Sequence, residues 1–212
     1  MKLALRSDFV DFYDLAFDAR LPGVPVFQRF SRDAADRVTL LRALRLTLGE
    51  NVPTFGTARD CLRGWDDDSM WVAHFDPFAH RGEGKVVLAA GVLRREHPPE
   101  TIVVKYIDGN RGRSLRHLQI GRRAFLLHYE SADDWRSNCG DVRVMVSGRA
   151  HPMTEATWPL LAVDYVTDGS GRLWAIDLNT APGMTGTGIE DLMTPDEVVD
   201  EIKGAMAARL AG

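Results

Sequence analysis

Two aspartates and an asparagine near the end of the chain have the types and spacing to do chemistry. Asp164 lies in "AVDYV" (162–166), Asp177 in "LWAIDLNTAPGMTG" (173–186), and Asn179 follows two positions later. Residues two apart on a strand share a face, so Asn179 joins Asp177. The turn "TDGSG" (167–171) between two apolar runs predicts a hairpin, which sets Asp164 beside Asp177 on the adjoining strand. Two carboxylates and an amide oxygen form a hard, oxygen-only donor set. Such a set suits Mg²⁺, which commonly shares its shell with phosphates. Two like charges this close repel unless a cation or a proton lies between them. Spacing alone leaves a second reading open, in which both acids are ordinary polar-face residues and Asn179 begins a turn.

A glycine-containing stretch is the next candidate. "HRGEGKVVL" (80–88) sets Gly82 and Gly84 before a buried run. Glycines allow close backbone approach, so N–H groups can cradle a phosphate. A lone G-x-G is a weak motif, and there is no G-x-x-x-x-G-K-[ST], so this is not a P-loop. His117, His128 and His151 stand at no metal-ligand spacing, and Ser137 lacks the context of a nucleophile elbow. "GNRGRSLRHLQIGRR" (109–123) is basic, but on strands its alternate members face opposite ways. Only some of them could line one surface, and most read as facing solvent.

These side chains need elements to hold them. "RDAADRVTLLRALRLTL" (32–48) predicts a helix capped by Ser31, with Val38, Leu41, Leu44 and Leu48 apolar and Gly49 at its end. Before it, "KLALR" (2–6) reads as a short strand and "DFVDFYDLAFDA" (8–19) as a helix. "MWVAHF" (70–75), "ETIVVKYI" (100–107) and "DVRVMVSGRA" (141–150) read as strands, and "VVLAAGVLRRE" (86–96) as a strand or a strand running into a helix. "LRHLQIG" and "RRAFLLHYE" form a hairpin joined at Gly121. A last helix starts at Thr194, with Pro195 in its first position and Glu197 completing a capping box. A few helices, then mostly antiparallel strands, then a helix is an α+β order rather than alternating βαβ.

Bulk properties narrow the classes. The 212 residues are 45% hydrophobic, enough for one sizeable domain or two small lobes. A net charge of -4 advertises no nucleic-acid surface. Cys61 and Cys139 read as two free thiols of a reducing compartment. "MKLALRSDF" becomes charged too early for a signal peptide, and no uncharged apolar run approaches the ~20 residues of a membrane span. A cytoplasmic protein without membrane or nucleic-acid partner is expected, and oligomeric state leaves no mark.

"AVDYV" followed by "GRLWAIDLNTAPGMTG" resembles the C-terminal signature of ATP-grasp ligases. There an Asp on one strand and an acid-x-Asn ending the next hold Mg²⁺ against the ATP phosphates. The resemblance puts Asp164, Asp177 and Asn179 on those positions, with Asp177 where Glu is usual. "NTAPGMTG" is similar to the form in D-alanine–D-alanine ligases and in the ligases that add glutamate to a ribosomal protein. "SLRHLQIG" resembles the family's D-x-R-x-x-x-x-G strand, which implies a phosphate contact for Arg116 and leaves Ser114 where an acid is usual. "SADDWRSNCGD" resembles a G-D-F-R-S-N segment whose Arg and Asn face phosphates and acyl group, implying those roles for Arg136 and Asn138. "IVVKYI" falls on the strand that brackets adenine, so Lys105, Tyr106 and Ile107 join the implied nucleotide contacts. The resemblance covers roughly residues 40 to 190.

It also departs from the family pattern. The family's phosphate-binding lysine precedes the glycine loop by about seven residues. Here "VAHFD" stands there, with His74 nearest and Lys85 available as a substitute just after the glycines. The resemblance implies three parts: 1–49 as a reduced N-terminal lobe, 50–108 as a nucleotide-binding lobe, and 109–212 as a C-terminal lobe with the metal site. The implied activity is ATP- and Mg²⁺-dependent joining of a carboxylate to an amine through an acyl phosphate, one partner being a peptide or protein. The alternative is a nucleotide-binding module of the same fold without ligase chemistry.

Overall fold

The computed structural model describes residues 37–76, 84–150, 160–179 and 182–211. The expected opening strand and first helix, the Ser31 cap and Gly82 lie outside them.

Helix α1 (Arg37–Leu48) carries Leu41 and Leu44 on its buried face and ends at Gly49, whose φ of 57° suits a residue without a side chain. Strand β1 (Phe55–Thr57) leads into a single-turn helix α2 (Ala58–Cys61), which the sequence did not announce. Strands β2 (Met70–His74) and β3 (Lys85–Ala89) flank the glycine loop. Helix α3 (Ala90–Glu96) continues directly from β3, so "VVLAAGVLRRE" runs from strand into helix. Strand β4 (Ile102–Lys105) completes an antiparallel sheet ordered β1-β4-β2-β3. Its core packs Trp71, Ala73 and Val103 against Cys61, Leu62, Ala90 and Leu93.

The second sheet follows. Strands β5 (Arg113–Ile120) and β6 (Arg123–Ser131) form the hairpin turned at Gly121, and β7 (Val142–Ala150) pairs outside β6. Strands β8 (Leu160–Thr167) and β9 (Leu173–Asn179) form the second hairpin. The order is β7-β6-β5-β8-β9, antiparallel throughout. Helix α4 (Pro195–Ala211) sets Val198, Val199 and Ile202 on Leu118, Ile120, Phe125 and Leu127 of this sheet. Its start is a reciprocal capping box: the Thr194 amide donates to Glu197 Oε2 at 2.8 Å, and the Glu197 amide donates to Thr194 Oγ1 at 3.3 Å.

The two sheets are joined by a third apolar cluster. Leu41 and Leu44 of α1 pack with Val104 of the first sheet and with Val163 and Ala175 of the second. This fixes the cleft between the sheets, and α1 lies along β9 at its edge. The observed class is α+β, as the element order implied.

Candidate functional site

The acid hairpin has the register that chemistry requires. Asp164 of β8 pairs directly across from Asp177 of β9, and on its other side across from Arg116 of β5. The three stand in a row across adjacent strands. A bulge makes this possible. Tyr165 pairs with Ala175, so Ile176 is an extra residue before Asp177. Without it Asp164 would stand across from Ile176, and the period of two would send Asp177 to the opposite face.

Each carboxylate of the row holds an arginine. Arg116 Nε donates to Asp164 Oδ1 at 2.7 Å and Nη2 to Oδ2 at 2.9 Å, a two-pronged fork. Its Nη1 donates to the Tyr129 hydroxyl at 3.3 Å, and the guanidinium lies 4.9 Å from the Tyr129 ring centroid. An arginine has five N–H donors, so these three bonds leave two for a ligand. Burial alone would weaken Arg116's hold on its proton, but the charge and hydrogen bonds of Asp164 outweigh it and the pKa is raised. Asp177 accepts from Arg37 Nη1, at the start of α1. Burial would raise the Asp177 pKa, yet the positive charges of Arg37 and Lys85, with Arg116 beyond them, hold it below the ordinary value.

The first sheet brings two more groups to the same place. His74 and Lys85 pair across β2 and β3, next to the glycine loop. His74 is buried, and burial followed by the charges of Arg37 and Lys85 lowers its pKa to about 3, so its imidazole is neutral. Burial and then Arg37 also lower the Lys85 pKa, while Asp177 and Asp164 oppose them. Lys85 therefore stands within electrostatic reach of both acids.

Together these residues line a cleft with about 850 Å³ of open space, mouth included. His74, Lys85, Lys105, Tyr106, Ile107, Arg116, Arg136, Asn138, Asp164 and Asp177 all line it. Arg136 grips Asp134 through Nε at 2.9 Å and Nη2 at 2.7 Å and lies 5.8 Å from the Trp135 ring centroid. The Asn138 side-chain oxygen accepts from Cys139 Sγ at 3.6 Å. Lys105 turns its ammonium to the Met70 carbonyl at 3.0 Å, with the Trp65 and Trp71 rings 5.0 and 5.4 Å away. Two expected residues are not on the cleft wall. Gly84, with φ 63°, shapes the turn into β3, and Asn179 ends β9 across from Ala162.

Sequence reasoning missed two residues. Arg37 is one, and a signal was there: it precedes Leu41, Leu44 and Leu48 by four, seven and eleven positions. A charge on the apolar stripe of a helix needs a buried partner of opposite sign. Tyr129 alternates with the buried Phe125 and Leu127 and pairs across from Ser114, so its hydroxyl reaches the same wall. Ser114, in the usual place of an acid, instead makes a 2.6 Å hydroxyl–hydroxyl bond with Ser137.

The donor set fits Mg²⁺ in its chemistry. Two carboxylates stand across from each other, and three cationic side chains already converge on them. Among the described residues, no group of three or more His, Cys, Asp or Glu could hold a metal by itself, so any ion here needs donors beyond the acids.

No protein-family model and no curated protein matches the sequence. Solved structures match it in fold. The ATP-grasp ligase PsnB, complexed with a phosphomimetic variant of its minimal precursor, Mg and ADP, superposes over 86% of this chain with a TM-score of 0.60 at 14% identity. The VanG D-Ala:D-Ser ligase of Enterococcus faecalis covers 82% with a TM-score of 0.50 at 16% identity. The D-cycloserine synthetase DcsG covers 84% with a TM-score of 0.53 at 12% identity. The chain spans 63%, 62% and 71% of these proteins' own lengths. The chain therefore has the ATP-grasp fold. No described helix is long and apolar enough to cross a membrane.

Proposed function

We propose that this chain binds ATP with Mg²⁺ in the cleft and uses it to join a carboxylate to an amine. The observation that carries the reading is the row Arg116–Asp164–Asp177 on three adjacent strands, sharing one cleft with Lys85 of the other sheet. The likeness of fold to ligases, one of them solved with Mg, ADP and a precursor, supports it.

In this reading residues 50–108 form the nucleotide lobe, 109–212 the metal lobe, and 1–49 a reduced N-terminal part. Asp164 and Asp177 would hold Mg²⁺, which when bound neutralises phosphate charge, and Asn179, off the cleft wall at the end of β9, would join them by turning its side chain inward. Lys85, Arg116 and Arg136 clamp the γ-phosphoryl group, with His74 as a neutral neighbour. Lys105, Tyr106 and Ile107 flank the base. A substrate carboxylate oxygen attacks the γ-phosphorus while the bond to the β–γ bridging oxygen breaks, giving ADP and an acyl phosphate. The amine nitrogen then attacks the acyl carbon, the carbon–oxygen bond to phosphate breaks, and the nitrogen loses a proton. Asn138 donates to the oxygen that carries charge in between. PsnB's complex with a precursor favours a peptide or protein as one reactant.

The test has two stages. Melting temperature is measured with ATP, with Mg²⁺ and with both, and a rise that needs both is expected. ADP release is then assayed across carboxylates and amines, with hydroxylamine as the trap for an acyl phosphate. A melting rise with no ADP release and no hydroxamate across the panel leaves a binding module without ligase chemistry. No rise overturns the nucleotide reading altogether.

A further inference from the structure

One carboxylate near the cleft has no part in the row of acids. Asp134, in the loop between β6 and β7, does not line the cleft, but the arginine it holds does. Arg136 meets it through Nε at 2.9 Å and Nη2 at 2.7 Å, and the Arg136 amide donates to Asp134 Oδ1 at 2.8 Å. The hydrogen bonds from Arg136 hold the Asp134 carboxyl below its ordinary pKa, so the fork is charged. Asp134 thus touches the guanidinium from behind the wall.

Asp134 is itself fixed. Its amide donates to Ser131 Oγ at 3.1 Å, and that hydroxyl donates to the Cys139 carbonyl at 2.5 Å. The Asp141 amide closes the loop on Asp133 Oδ1 at 2.8 Å. The Asp134 carbonyl oxygen packs so close to Gly112 that a Cβ there would lie 2.4 Å from it. Directly after Arg136, Ser137 Oγ meets Ser114 Oγ at 2.6 Å. Ser114 and Arg116 are both on β5. One strand therefore carries both arginines, Arg116 directly and Arg136 through Asp134 and Ser137.

That mounting has a purpose beyond the loop's own fold. A long arginine side chain loses rotamer freedom when it binds an anion, and this opposes binding. A carboxylate fork removes the freedom beforehand and fixes the plane of the guanidinium. An anion in the cleft then meets the other, end-on edge of Arg136.

We propose that Asp134 is the positioning residue for Arg136, fixing its guanidinium where the γ-phosphoryl group of the nucleotide binds. This rests on the nucleotide reading above. ADP lacks that group, so the ratio of ATP to ADP affinity isolates the contacts made to it. Calorimetric titration with Mg²⁺ measures both nucleotides on the unmodified chain, on Asp134→Asn, on Arg136→Met and on the double variant. Asp134→Asn weakens ATP about tenfold, the size of one charge-assisted hydrogen bond, and ADP by less than about twofold. Arg136→Met loses at least as much of the ratio. On that background Asp134→Asn changes it by less than about twofold, because the group it positions is gone. Two ligands compared on one protein cancel any loss of folded material. Equal weakening of ATP and ADP by Asp134→Asn overturns the proposal and leaves Asp134 a structural residue of the loop. A full further loss on the Arg136→Met background also overturns it. So does an unchanged ratio in Arg136→Met, a result that needs no variant of Asp134. In these three cases the nucleotide reading stands. Failure of both nucleotides to bind the unmodified chain overturns both.

Discussion

Arg116 and Asp164 allow a prediction that separates structural from functional charge. Their side chains are 12% and 17% exposed, so the pair is largely out of water. Removing one member leaves the other buried and uncompensated, which typically costs about 3–5 kcal/mol, whereas replacing both by apolar groups is often neutral. Residual exposure and the Tyr129 hydroxyl beside Arg116 favour the low end, about 3 kcal/mol for Asp164→Ala or Arg116→Met. At ~2–4 °C per kcal/mol for a chain of this size, each single variant melts roughly 6–12 °C lower. The double variant is expected near one single variant or above it, not at the sum, giving a coupling of at least about 3 kcal/mol. Urea unfolding of all four proteins measures this. Melting with Mg²⁺ and ATP gives the second readout: the double variant should lack the nucleotide-dependent rise whatever its own stability, because the proposed Mg²⁺ ligand and phosphate contact are gone. Additivity within ~0.5 kcal/mol would refute the buried-pair reasoning. A full nucleotide-dependent rise in the double variant would refute the assignment of these residues to the site.

Three further outcomes follow from neighbouring residues. His74 has its folded pKa lowered from 6.5 to about 3 by burial and the charges of Arg37 and Lys85, so as pH falls below 6.5 the unfolded chain takes up a proton that the folded chain refuses. Stability is lost at up to ~1.4 kcal/mol per pH unit through that window, and His74→Asn should show the shallower fall in urea titrations between pH 6 and pH 4. Arg37→Met removes the cation bound to Asp177, so Mg²⁺ alone should raise its melting temperature more than that of the unmodified chain; an equal response would mean that Arg37 does not compete for the site. Gly112→Ala combines a positive φ with a clash against Asp134, while Gly171→Ala has a similar φ of 88° but open space. The second should cost ~1–2 kcal/mol in urea unfolding and the first clearly more, and equal costs would count against the close packing of that loop.

Most of the architecture could be read from the residues, though not always for the right reason. The α4 capping box and the β5–β6 hairpin follow from local chemistry, because Thr194, Pro195, Glu197 and Gly121 each serve their own element. The acid pair is different. The hairpin turn predicts that Asp164 and Asp177 are neighbours, and they are, but only through the bulge at Ile176. Period-two reasoning contains no bulge, and neither "AVDYV" nor "AIDLN" marks one with a glycine. Arg37 was legible in principle, as a charge on an apolar stripe, but its partner lies 140 positions away and only the packing of α1 on β9 supplies it.

The charges of the cleft argue for what it holds. Arg37, Lys85 and Arg116 converge on Asp164 and Asp177, so with Lys85 protonated this cluster carries one surplus positive charge, and Lys105 and Arg136 add to it on the cleft wall. That surplus attracts an anion, yet the two acids repel the phosphates nearest to them, in a setting where burial magnifies the mismatch. A nucleotide gains from further positive charge beside the acids. The acids provide for that: when arginine forks turn toward phosphate, Asp164 and Asp177 lose their partners and need a replacement cation. A divalent ion arriving with the nucleotide answers both demands at once. Nucleotide and ion should therefore bind with positive coupling, each raising the other's affinity by the same factor. Calorimetric titration of ATP across Mg²⁺ concentrations measures that factor, and independent binding of the two would remove the electrostatic basis for placing them in one site.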